Sequence, residues 1–250
     1  MGKVIVVASG KGGTGKTTSV GAISSCLAAL GHKTLCIDCD AGLRNLDIII
    51  GMTEYTVTDF FDVLQGRTEL LEACAEHPRI KNLYFLPAPA FHGPEEIDAD
   101  DMAGLTAQIR EQFDYCLIDA PAGIGPGFRL AAQGADMALI VTVGDMSSMR
   151  DGQRVAEELR SLGVRELRLI VNRVSGRNFR KLSTTVDDVI DAIGARLVGL
   201  VEEDEEVFLA SNSETPLILY ENKRAALQFL QIARRLTGER IPLVKRWSRA

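Results

Sequence analysis

An α/β fold with a doubly wound, mostly parallel sheet and helices on both faces is what this sequence predicts, and three observations carry it. Short apolar, β-branched runs alternate with helical stretches at βαβ spacing. A glycine-rich loop, Gly10 to Thr18 (GKGGTGKTT), lies between the first apolar run and the first helical stretch. Asp38, Asp119, Asn172 and Glu202 close four of the apolar runs. Ligands bind beyond the carboxyl ends of the strands in such a sheet, so these four are expected on the glycine loop's side.

The elements follow in order. KVIVVAS (3–9) reads as a buried parallel strand, and SVGAISSCLAALG (19–31) as a helix stopped near Gly31. The second strand is 33–37, and it runs into DCDAGLRNLD (38–47). TDFFDVLQG (58–66) is amphipathic, and LLEACAEHP reads as a short helix stopped by Pro78. Residues 82–87 form a third strand, 88–96 a Pro-rich loop and 99–112 a helix. DYCLIDAPAG (114–123) is a fourth strand running into a loop, and the fifth strand is MALIVTV (137–143). The stretch 147–163 is a clear amphipathic helix, LRLIVNR (167–173) a sixth strand, 186–194 a helix and 195–201 a seventh strand. The last helix spans about 224 to 236, giving a main domain over 1–238 and a short basic tail over 239–250.

The chain has 250 residues, 46% hydrophobic and 25% charged, enough for one large core. Its five cysteines suggest reduced thiols rather than a disulfide framework. Cys36 and Cys39 form a C-x-x-C, but they lie along a strand and its end, where side chains alternate faces. No apolar run is long enough for a membrane span, and no signal peptide is expected. The net charge of −6 argues against broad nucleic-acid binding, and no basic stripe is visible outside the tail.

The chemistry centres on the loop. Gly10, Gly15, Lys16 and Thr17 meet the pattern G-x-x-x-x-G-K-[ST], in the strand–loop–helix context the pattern requires. Gly10, Gly12, Gly13 and Gly15 allow a tight turn that aims N–H groups, including those of Thr14 and Thr18, at phosphate oxygens. The helix N-terminus adds positive potential. Lys16 is expected to reach the β- and γ-phosphates, and the Thr17 hydroxyl to hold Mg²⁺. Asp119, after CLI, has the place of an aspartate that holds a water on Mg²⁺. Asp38 and Asp40 end the second strand, with one of them near the metal water. Asn172 is expected to read the adenine edge because an amide both donates and accepts, with Arg173 beside it. The three histidines are scattered and suggest no site.

Lys11 narrows the reading. KGGTGKT resembles the deviant Walker A motif of the ParA/MinD family of ATPases, and the similarity runs from Lys3 to about Gly238. The resemblance implies a P-loop NTPase fold of deviant Walker A type, with ATP and Mg²⁺ as cofactors and hydrolysis of ATP to ADP and phosphate, slow without an activator. It implies an ATP-dependent homodimer in which Lys11 crosses to the partner's nucleotide, with Asp145 and Asp151 at the interface. Asp40 is implied to position or polarise the attacking water. GLRNLD (42–47) is similar to the switch I segment of the MinD branch, and PAGIG (121–125) stands where that branch has a loop that responds to the γ-phosphate. Three departures stand out: Ala120 replaces a serine, Gly144-Asp145 replaces Pro-Glu, and Glu202-Glu203-Asp204 lacks a proline near the base.

That branch ends in an amphipathic membrane helix. Wound as a helix, Leu243, Val244 and Trp247 share one face here, and Lys245, Arg246 and Arg249 the other. One copy is short and expected to bind weakly, whereas two on an ATP-held dimer gain from intramolecular second contact. A basic tail that packs Trp247 on its own domain is the alternative. The resemblance implies a bacterial protein cycling between cytoplasm and the inner face of the cell membrane to position the division site. Its implied partners are a division inhibitor and an activator, with no nucleic acid. A flagellar-number or partition ATPase of the same group is the second reading.

Overall fold

The computed structural model describes residues 1–40, 45–55, 58–89, 94–175, 184–220 and 224–243. The strands are β1 (Lys3–Ala8), β2 (Thr34–Asp38), β3 (Ala75–Glu76), β4 (Leu83–Leu86), β5 (Tyr115–Asp119), β6 (Met137–Thr142), β7 (Glu166–Val174) and β8 (Arg196–Glu202). They form one sheet in the order β3-β4-β2-β5-β1-β6-β7-β8. All pairings are parallel except that of β3, a two-residue edge strand antiparallel to β4. The described helices are α1 (Lys16–Ala29), α2 (Leu46–Ile50), α3 (Phe60–Leu64), α4 (Leu70–Ala73), α5 (Ala99–Gln112), α6 (Pro126–Ala132), α7 (Met146–Ser161), α8 (Val186–Ile193), α9 (Glu205–Asn212) and α10 (Arg224–Leu236).

Alternation along the strands splits the core in two. Val4, Val6, Leu35, Ile37 and Ile118 face the layer built by α3 to α8. Ile5, Val7, Cys36, Leu117 and Ile170 face α1, α2, α9 and α10. Both faces are covered, which is why the central strands are continuously apolar rather than alternating. The same alternation sends Cys36 and Cys39 to opposite layers. All five thiols are free and buried, and burial pushes each well above its ordinary range.

Local chemistry sets several boundaries. The helix expected up to Pro78 stops at Ala73, because Cys74 turns extended and residues 75–76 pair with β4. His77, 4% exposed, fixes this corner: its Nδ1 accepts from Arg79 and Ile80 N–H, and its Nε2 meets the Ile50 carbonyl. The apolar run Ile48 to Ile50 belongs to α2, with Gly51 as its C-cap, a helix too brief to show a period. It packs where α1 has Gly21, whose absent Cβ leaves room for Ile49 and Ile50. A short α6, opened by Pro126, follows the loop after β5 and was not apparent from the sequence. Lys3, Arg168, Arg196 and Arg235, from β1, β7, β8 and α10, line one pocket at the amino-terminal edge of the sheet. No described helix is long and apolar enough to cross a membrane.

Phe229, 1% exposed, ties α10 to the sheet. Phe229→Ala is expected to cost about 3–5 kcal/mol and lower the thermal midpoint by roughly 6–20 °C. Calorimetry on wild type and variant checks this; a shift under 2 °C would show that α10 docks without it.

Candidate nucleotide site

The glycine loop joins β1 to α1, and Lys16 is the first residue of the helix. Its four glycines do different work. Gly13 (φ 78°) and Gly15 (φ 89°) adopt left-handed backbone, which side chains disfavour. Gly10 is required for space, since a Cβ there would lie 2.4 Å from Asp151 Cβ on α7. A Cβ on Gly12 or Gly13 would meet open space among the described residues, so the loop is uncrowded at these two positions. Ser9 Oγ donates to the Lys11 carbonyl at 3.0 Å and bends the chain into the loop. Thr14, 3% exposed, has a buried hydroxyl without a hydrogen-bond partner. An orphaned hydroxyl beside open glycine backbone at a helix N-terminus fits a phosphate group.

The acids arrive by sheet register. Asp38 and Asp119 are paired neighbours at the ends of β2 and β5. Lys16 Nζ donates to Asp119 Oδ1 at 2.5 Å, with both side chains almost fully buried. The Thr17 hydroxyl bonds to the same carboxylate. Asp38 accepts three backbone N–H groups, from Asp40 at 2.8 Å and from Asn45 and Leu46 at 3.3 Å. Burial first, then the charge of Asp119, pushes the Asp38 carboxyl up to about 7 despite those bonds. Burial likewise raises Asp119, although Lys16 and Thr17 oppose it. Thr17, Asp38 and Asp119 form an oxygen-only donor set of the kind Mg²⁺ takes, and two crowded carboxylates suit a divalent cation. Asp40 lies two residues on, half-buried, near enough for its charge to bear on Asp119. The loop after β5 is tied to β1 and the residue after it: Ala120 N–H donates to Val7 O and Gly123 N–H to Ser9 O.

Lys11 is held within its own chain. Its Nζ donates to both Asp145 oxygens at 3.2 Å and to Ser147 Oγ at 2.9 Å. Asp145 is also the N-cap of α7, accepting the Ser148 N–H at 2.9 Å. Partial burial pushes its carboxyl up, but bonds from Ser147, Ser148 and Lys11 outweigh this and hold it well below the usual range. An aspartate suits a cap because its short side chain reaches back to the first turn.

Asn172 stands two residues before the end of β7, not at it. The ladder to β8 shifts between Val171 and Val174, and Arg173 takes φ 52°. This bulge turns Asn172 inward, where its Nδ2 donates to Thr14 O at 2.8 Å. A Cβ on Gly15 would strike that amide, a second reason for glycine there. Asn172 and Arg173 line a pocket of about 470 Å³ with Gly15, Thr18, residues 201–205 and Phe208. The segment Glu202-Glu203-Asp204 forms its wall, with Glu202 N–H anchored on Gln228 Oε1 and Asp204 capping α9. Phe208, 66% exposed, is a pocket residue that sequence reasoning missed; an aromatic residue one turn beyond the acidic wall was the available signal. Of the switch I segment, residues 42–44 lie outside the described residues, as do tail residues Val244, Lys245, Arg246 and Trp247. Leu243 is described and 37% exposed.

Comparison with known proteins agrees in fold and family. The model of the CobQ/CobB/MinD/ParA nucleotide-binding domain matches residues 5–217. The septum site-determining protein MinD of Synechocystis is 38% identical over 98% of this chain and 92% of its own length. MinD in the MinC:MinD cell division protein complex of Aquifex aeolicus superposes with TM-score 0.89 at 39% identity, covering 98% of this chain and 99% of that one. MinD of Pyrococcus horikoshii, solved with Mg-ADP, gives TM-score 0.83 at 28% identity over 94% of this chain and 96% of that one.

The Asp38 environment has a measurable consequence. An unfolded aspartate titrates near 3.9, whereas folded Asp38 sits at about 7. The folded state therefore keeps the proton longer, so this contribution is full below about pH 4 and is lost as pH rises to 7. In nucleotide-free protein, the stability lost between pH 5 and 8 should be smaller in Asp38→Asn than in wild type, by an amount on the order of 2 kcal/mol. Urea unfolding at the two pH values measures it; identical losses would refute the assignment.

Proposed function

Because the chain belongs to the CobQ/CobB/MinD/ParA nucleotide-binding family, and within it to the MinD septum site-determining proteins, we propose that it is an ATP-dependent dimerising switch that positions the division site. The family is one of P-loop ATPases, and a relative holds Mg-ADP. The observation that carries the reading is the convergence of Lys16, Thr17, Asp38 and Asp119 beneath the glycine loop, with Lys11 beside it.

ATP is the proposed substrate, with its phosphates along the loop from Gly10 to Thr18 and its base in the pocket lined by Asn172 and Arg173. Thr17, Asp38 and Asp119 would hold Mg²⁺, which when bound neutralises charge on the transferring phosphoryl group. Lys16 exchanges its bond to Asp119 for the phosphates, and Asp40 orients the attacking water. Lys11 leaves Asp145 and Ser147 to reach the nucleotide of a second copy, with Asp145 and Asp151 near the dimer interface. Breaking that pair costs little, because Lys11 and Asp145 are 37% and 42% exposed. Slow turnover without an activator follows if assembly of the two-chain site limits the reaction.

The ATPase domain is proposed over 1–238 and a membrane-binding tail over 239–250, with Leu243, Val244 and Trp247 facing lipid and Lys245 and Arg246 its headgroups. A division inhibitor is the proposed partner, supported by the relative solved as a MinC:MinD complex. The proposed location is the bacterial cytoplasm and inner membrane face.

Asp40→Ala is expected to abolish ATP turnover, by a hundredfold or more, while ATP binding and ATP-dependent dimerisation persist. A turnover assay with sedimentation equilibrium checks this; retained turnover would remove Asp40 from the reaction. The full chain should pellet with anionic vesicles in ATP and not in ADP, and a chain ending at Gly238 should not pellet in either. Pelleting that ignores the nucleotide would sink the dimer switch.

A further inference from the structure

At the opposite edge of the sheet from the nucleotide loop lies a pocket of about 360 Å³ between the start of four strands and the end of α10. Four cations line it: Lys3 opens β1, Arg168 and Arg196 stand near the starts of β7 and β8, and Arg235 is in the last turn of α10. Among the described residues only one acid, Glu166, shares the pocket. It accepts from both Lys3, at 3.1 Å, and Arg168, at 2.6 Å. Arg168 and Arg196 are register partners across the β7–β8 ladder, so two like charges stand directly opposite. Glu166 offsets the charge of Arg168 in that pair, and the charge of Arg196 is left to solvent or an added anion. Arg196 is exposed and has no carboxylate partner among the described residues. In a chain of net charge −6, this is a local excess of positive charge.

The pocket adjoins the departing tail. Arg235 donates from Nη1 to Val198 O at 2.9 Å, and from Nε and Nη2 to Ile241 and Pro242 carbonyls at 3.0 Å. One side chain therefore ties the pocket floor to the chain just before Leu243. Seven residues follow Leu243, three of them basic and one Trp247.

We propose that this pocket binds the phosphate of an anionic lipid headgroup, so that the protein grips the membrane through its folded domain as well as its tail. The lipid source rests on the membrane reading above; the phosphate-binding chemistry does not. Arginine suits it, because a guanidinium presents paired donors to phosphate oxygens. The short tail then needs less affinity of its own, because the two contacts on one body act as a bivalent anchor.

Full-length protein tests it in two ways. Arg196→Gln is expected to weaken ATP-dependent pelleting with phosphatidylglycerol:phosphatidylcholine (1:1) vesicles about fivefold, the effect of one charge near an anionic surface. Arg154→Gln, an exposed α7 charge on the other face of the sheet, should change it by less than twofold. ATP turnover in solution should be unchanged in both. Equal pelleting by wild type and Arg196→Gln, or equal losses in the two variants, would overturn the pocket. Independently, dihexanoyl phosphatidylglycerol below its micelle concentration should shift the amide resonances of 166–168 and 196–198 in wild type and not in Arg196→Gln. If wild type does not pellet at all, the membrane tail fails, and these shifts alone decide the pocket: their absence ends it. Equal shifts with inorganic phosphate would make it a free-anion site, and stronger shifts with duplex DNA at matched phosphate a nucleic-acid surface. Either result would overturn the lipid assignment.

Discussion

The in-register parallel pairing of β2, β5 and β1 is the constraint on which the site depends. It sets Cα partners Asp38 and Asp119 side by side, and Asp119 opposite Val7, just before the glycine loop leaves β1. A shift of one residue in either ladder would turn a carboxylate from the ligand side into an apolar layer. The cost of two crowded, buried acids is carried by a sheet whose central strands are sealed on both faces. Lys16 offsets part of it through a buried ion pair, and backbone N–H groups from the segment after β2 offset more.

Both loop lysines are engaged within the single chain, but at different energetic depth. Lys16 and Asp119 are buried, so either one alone would be an uncompensated charge. Lys11 and Asp145 are half-exposed, and water can replace either partner cheaply. The geometry thus fixes one lysine and leaves the other easy to release. Asp145 remains useful after release because it caps α7 regardless. The packing of Gly10 on Asp151 keeps α7 pressed on the loop, so the helix and the loop position one another.

One helix reaches both ends of the sheet. Gln228 and Phe229 of α10 support the pocket lined by Asn172 and Arg173, and Arg235, two turns later, lines the basic pocket and holds the chain toward the tail. Phe229, Ile232, Ala233 and Leu236 bury its apolar stripe against the sheet between those points. The glycine loop and the buried acids therefore sit at the carboxyl ends of the strands, and the basic pocket at their amino ends.

Much of the frame was legible in the residues alone. The loop GKGGTGKTT, the apolar runs and helices such as 99–112 and 224–236 carry local signals strong enough to stand without context. The acids at strand ends were legible because the polarity of a parallel sheet fixes which end meets the ligand. What local pattern could not encode was decided in three dimensions. The α2 turn hid in an apolar run too short to show a period, and β3 forms only because β4 lies beside it. The bulge that turns Asn172 onto Thr14 depends on a register shift against β8. Phe208 and the four cations at the sheet's far edge are distant in sequence, and only the crossovers between strands bring them to their pockets. Sequence determined the elements and the loop's chemistry through nearest-neighbour propensity; tertiary structure decided which charges meet, because electrostatic contact depends on distance in space and not along the chain.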